Sequence, residues 1–276
     1  MTMTSWGKTL VETAGHFYNS FPKKWFNPLR ALPLDKLAQS NQPPLRAELF
    51  SADQMEQHGK ALASSHCLGA LSKSTRLLVR LDDNEQVLLV CRALLTETVK
   101  TKARIAPAGE WLLDNFYLME EQIRTARQHL PKGYSRELPR LAEGPSAGLP
   151  RVYDLALEVI SHGDGRVDAE TFSRFVAAYQ TITPLTLGEL WATPIMLRLA
   201  LIENLRRVAA RITTARHHLN EAQDWATQMV EVAESDPKSL ILIIADMARS
   251  NPPMVSPFVA ELTRRLQGHG HALALP

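Results

Sequence analysis

Apolar residues in this chain recur at intervals of three or four, segment after segment, and nowhere alternate in the manner of a half-buried strand. Leu112, Phe116, Met119, Ile123, Ala126 and Leu130 form one such stripe, the signature of a helix with one face in a core. Start signals recur along the chain. Ser51 with Gln54 forms a capping-box pattern opening a helix to about His66. Asp82 or Asp83 can cap a helix over about 84–102. Pro107 suits the first turn of the stripe helix, and Gly133 follows its end. Val152, Leu155, Ala156, Val159 and Ile160 mark a further helix, and Asp168 caps one bearing Phe172, Phe175, Val176 and Tyr179. Thr186 with Glu189 is the clearest capping box and starts a long helix to about Ala215. That helix is apolar on most sides, which predicts a central place in the bundle, a buried Trp191, and a bend or a delayed start at Pro194. Asn220 with Gln223, Asp236-Pro237 and Ser256-Pro257 each read as a further helix start. The predicted fold class is all-α, a multi-helix bundle of antiparallel helices with a long Pro/Gly-rich internal loop over 131–149. No repeat at solenoid spacing is found.

With 276 residues the chain can bury a sizeable core. Residues 1–44 read as an irregular aromatic and basic arm, 45–268 as the helical domain, and 269–276 as a tail that looks cut off. A formal charge of +2 with no basic stripe argues against nucleic acid as a partner. Cys67 and Cys91 are too few for a disulfide framework or a four-cysteine zinc site. No stretch reaches the roughly 20 apolar residues of a membrane span.

Several constellations could carry chemistry, and each has a bland alternative. Around Asp164 and Gly165 the chain resembles half a calcium loop. With Gly165 in sixth place, however, the first and twelfth positions are Ile160 and Thr171 instead of acids, so a turn with an Asp168 cap is favoured. Glu120 and Glu121 diverge by about 100° on a helix and cannot face one glycosidic bond. Pairing of either with Arg124, three or four residues on, is the favoured reading. Tyr134, Arg136 and Glu137 sit on the stiff loop, as a small binding site or, preferably, a lock between helices. Glu203 and Arg207 form an i,i+4 pair on the long helix, in an internal network if that helix is central. Arg198 needs a partner too, with Glu189 or the 131–149 loop as candidates. The His217-His218 pair and the tail histidines lack further ligands at metal spacing, so no metal and no cofactor is expected.

Asp114-Asn115-Phe116-Tyr117 with Glu120-Glu121-Gln122-Ile123-Arg124 resembles the N-terminal region of cyclic β-1,2-glucan synthases. The likeness continues through Leu130 to Tyr134, Arg136 to Pro139, Gly148 to Tyr153, Thr183 to Thr186, Gly188 to Ala192, and Leu197-Arg198 to Arg207. The resemblance implies an inner-membrane enzyme that builds a cyclic glucan from UDP-glucose, in which this helical part precedes a membrane-spanning glycosyltransferase domain. Its implied partners are that domain and the other domains of the synthase, with glucan as a further candidate, at the cytoplasmic face of the inner membrane. The Asp-x-Asp and Gln-x-x-Arg-Trp motifs of the transferase have no counterpart here. The first reading is therefore an accessory segment, inactive alone, with a truncated gene product as one form of it. The rival readings are a free-standing glucan- or protein-binding module and, least favoured, a helical glycosidase.

Overall fold

The structure is a computed structural model that describes residues 42–69, 76–101, 104–130 and 137–268. Tyr134, Arg136, most of the arm and the tail lie outside them. Contacts divide the chain into Met1–Asp35 and Lys36–Pro276, and every described residue belongs to the second unit.

Nine α-helices make up the described fold: α1 (Ala52–Ser65), α2 (Arg76–Lys100), α3 (Pro107–Asp114), α4 (Phe116–His129), α5 (Arg151–His162), α6 (Ala169–Gln180), α7 (Leu187–Ser235), α8 (Leu240–Ser250) and α9 (Ser256–Gly268). The fold is all-α apart from a two-residue antiparallel ribbon, β1 (Leu68–Gly69) with β2 (Arg140–Leu141), too short for alternation to show in the sequence. Among the described residues no helix is long and apolar enough to cross a membrane.

Local chemistry sets the helix starts. The Ser51–Gln54 box forms, with Ser51 N donating to Gln54 Oε1 at 2.8 Å. Asp168 caps α6 by accepting from Thr171 N at 2.7 Å. The Thr186–Glu189 box opens α7. Each provides acceptors for N–H groups that the first turn leaves without helical partners.

Helix α7 is the axis, touching α2, α3, α4, α5, α8 and α9. Its 49 residues span about 73 Å at 1.5 Å per residue. Alanines occupy many of its buried positions, among them Ala192, Ala200, Ala209, Ala210, Ala222, Ala226 and Ala233, which lets neighbouring helices approach closely. A second core lies where α1 packs on α6, with Met55, Leu155, Val159, Phe175 and Tyr179 buried together.

The structure corrects several expectations. Helix α7 does not stop near Ala215, and Asn220 caps nothing. The stripe Ala222, Ala226, Met229 and Ala233 continues the buried face against α8 and α9, and this packing outweighs a local cap signal. The helix begins at Leu187 and runs through Pro194 without a delayed start. Trp191 is 73% exposed, because the buried face at this level is carried by Ala192, Ile195 and Met196. Helix α2 is already formed at Arg76, well before Asp82, since Leu77 and Leu81 belong to its core face. The stripe helix is two helices, broken at Asn115, whose Nδ2 donates to Trp111 O at 2.8 Å. Asp236-Pro237 opens a single 3-10 turn ahead of α8.

Candidate functional site

Two carboxylates on α7 are fully buried, and both are neutralised. Glu189, third residue of the helix, has a side chain 0% exposed and meets Arg151 of α5 in a two-pronged pair, at 2.6 and 2.8 Å. Its Oε2 also accepts from Thr186 N at 2.8 Å, and Arg151 donates to Pro184 O at 2.8 Å. Burial raises the Glu189 pKa, but the Arg151 and Thr186 donors together outweigh it and hold the carboxyl below the ordinary range. Arg151 also lies 5.9 Å from the Tyr179 ring centre, Tyr179 OH meets His66 Nδ1 at 2.9 Å, and His66 Nε2 meets Asp154 at 3.2 Å. The cluster ties α1, α5, α6 and α7 together.

Glu203 lies four turns further along α7, also 0% exposed. It accepts from Arg80 of α2 at 3.1 and 2.8 Å, from Arg206 at 2.8 Å and from Arg207 at 2.9 Å. Burial again pushes its pKa up. The three guanidiniums and a bond from Asn84 win and hold it at about 2. Tyr153, buried and next to this carboxylate, is pushed up to about 12, burial first and Glu203 second. The lead-in segment is fastened here as well: Arg206 donates to Gln42, Arg207 to Pro43 O, and Leu45 N to Asn204 Oδ1, at 2.8, 3.2 and 2.8 Å.

The other sequence-derived candidates are scattered. Glu120 pairs with Arg92 of α2 at 3.1 Å rather than with Arg124 on its own helix, and Arg124 is exposed. Arg198 donates to Gln122 of α4 at 2.9 Å; among the described residues neither Glu189 nor the loop is its partner. Glu137 is exposed at the start of the described half of the loop. That half is internally bonded: Leu141 N donates to Leu149 O, Gly148 N to Leu141 O and Arg140 Nη1 to Gly148 O, at 3.0, 2.7 and 2.7 Å.

Glu189 and Glu203 are 14 positions apart on one helix, which places them roughly 21 Å apart along its axis. Glycoside hydrolysis needs two carboxyls about 5–10 Å apart. Neither group is free to accept a proton, so the pair is structural. A cavity of about 1100 Å³ lies among α2, α7, α9 and the segment ahead of α3. Arg104, Arg211, Arg216, Arg264 and Arg265 line it beside Glu261. Hydrogen bonds from Arg264, with Arg265 adding to them, hold Glu261 at about 2 against its burial. Arg216 Nε is buried without a partner. Five guanidiniums to one carboxylate among the described lining residues suit an anionic ligand.

Sequence reading missed Arg80 and Arg151, whose partners are 123 and 38 positions away. It also missed a grouping of His58, Glu158 and His162. Only the Glu158–His162 spacing of four gave a local sign of it.

Among the described residues the geometry defines an all-α module whose two fully buried carboxylates are each paired with arginines. The chain is similar to cyclic β-(1,2)-glucan synthase NdvB of Rhizobium meliloti (strain 1021), with 31% identity over 226 residues. The match takes in 81% of this chain but only 8% of the relative's length, consistent with relation to an N-terminal region of that synthase. No protein-family profile matches the chain.

Proposed function

We propose that this chain is an accessory helical segment of a cyclic β-1,2-glucan synthase, non-catalytic by itself, which supports and positions the glycosyltransferase and other domains at the cytoplasmic face of the inner membrane. The observation that carries the reading is the state of Glu189 and Glu203. The fully buried carboxylates among the described residues are each consumed by arginines that join helices, as a scaffold requires and an acid–base enzyme does not. Similarity to a small part of a much longer synthase supports the same reading.

The test is incubation of the purified chain with UDP-glucose, following both binding and UDP release. The expected outcome is no binding and no release above the protein-free rate. UDP release that scales with protein would overturn the reading. The arginine-lined cavity favours a second reading, a binding module for an anionic ligand, and saturable binding of UDP-glucose without turnover would favour it over the first.

A further inference from the structure

His58 on α1 and Glu158 and His162 on α5 present three ligand atoms, all within 4.8 Å of one another. Both imidazoles converge on the same carboxylate oxygen: His58 Nε2 lies 2.8 Å and His162 Nε2 3.4 Å from Glu158 Oε2. The four-residue spacing of Glu158 and His162 puts both on one face of α5, and packing of α1 brings in His58.

The surroundings fix the donor atom of His162. His162 Nδ1 is 2.7 Å from the backbone carbonyl of Glu48. A carbonyl can only accept, so Nδ1 carries the proton, and in the neutral ring the Nε2 lone pair points toward the carboxylate. That orientation lets His162 Nε2 and Glu158 Oε2, 3.4 Å apart, act as ligands to one cation. Histidine held through Nδ1 by a backbone carbonyl is also the usual outer support of a metal ligand. Phe50 stacks on His162 with ring centres 3.8 Å apart and packs edge-on against His58 at 5.4 Å, so both rings are oriented in advance.

We infer that His58, Glu158 and His162 bind a divalent transition metal of the zinc class. Two imidazoles and a carboxylate suit zinc, cobalt or nickel rather than calcium or magnesium, which take oxygen ligands. Tetrahedral ligands at about 2.0–2.1 Å from zinc lie roughly 3.3 Å apart, a spacing that the 2.8 and 3.4 Å separations bracket. The side chains are 25%, 30% and 10% exposed, which leaves the fourth position open to water or to a ligand from another polypeptide. The bound ion staples α1 to α5 and, through Glu48, holds the segment leading into α1.

The experiment uses the full chain, stripped with a chelator and titrated with zinc by calorimetry and with cobalt by visible absorption. One equivalent is expected to bind, to give tetrahedral cobalt bands and to raise the melting temperature. Glu158→Gln and His58→Gln keep much of the side-chain volume and should each weaken binding by more than about tenfold, beyond the lower end of what even outer-support changes cost. Changing His217 and His218 together to alanine should leave affinity unaltered. Circular dichroism establishes that the variants are folded; should one fail to fold, the other decides. No saturable uptake by the parent chain would overturn the inference and leave a proton-bridged cluster. Uptake that survives Glu158→Gln and His58→Gln but disappears with His217 and His218 would overturn it equally.

Discussion

Glu203 compensates three guanidiniums from one buried position, and that arithmetic makes it the residue whose loss should be felt most. Glu203→Gln leaves Arg80, Arg206 and Arg207 facing one another, with side chains 33%, 6% and 14% exposed. Breaking one side of a buried ion pair costs about 3–5 kcal/mol, so the urea midpoint should fall sharply with the slope unchanged. The same residue sets an acid limb. Its folded pKa of about 2 lies below the ordinary 4.5, so the unfolded chain takes up the proton first. This stabilisation is full above about pH 4.5 and is lost as pH falls toward 2. Urea melts from pH 7 down to pH 2.5 should show the loss in the parent chain and a shallower one in Glu203→Gln. The i,i+4 partner Arg207 could be read from the sequence, because helix geometry alone brings it near. Arg80 could not: 123 positions separate it from Glu203, and only the packing of α2 on α7 chooses it.

At the scale of elements, the legible parts were those set by short-range chemistry. The boxes at Ser51 and Thr186 and the cap at Asp168 satisfy donors within three residues, so tertiary context had little to add. Asn220 shows the opposite case. Its cap signal is sound in isolation, yet a cap requires leaving the helix, which would break the Ala222–Ala233 face that packs on α8 and α9. Gly59 also had no sequence-level explanation. On an exposed helix, replacing glycine by alanine gains about 0.5–1 kcal/mol. Here an added Cβ would lie 2.9 Å from Phe175 O and 3.0 Å from its ring, because α1 and α6 meet at this point. Gly59→Ala should therefore destabilise by about 1–3 kcal/mol, the usual cost of overpacking. A thermal melt checks the sign, and a stabilised variant would show that α1 can slide on α6.

For the whole molecule, the outer surface of α7 near its start presents Leu187, Leu190 and Trp191, 64%, 37% and 73% exposed. Leu201 continues the exposed apolar positions at 40%. The apolar content that made this helix look central in the sequence is real, but it is divided between an inner face that builds the bundle and an outer face left to solvent. Sequence periodicity cannot assign the outer share, because a residue that packs on another domain and one that packs on its own bundle look alike. On the proposed reading, a segment that positions catalytic domains needs such a surface, and tryptophan is among the residues that most often dominate an interface. Trp191→Ala should therefore change the stability of the chain alone by no more than about 0.5 kcal/mol. In co-purification with the transferase portion of a related synthase, the same change should weaken association by at least about tenfold, or ~1.4 kcal/mol. A large fall in melting temperature would place Trp191 in the folding core after all. Unchanged association would move the docking surface elsewhere on the helical domain.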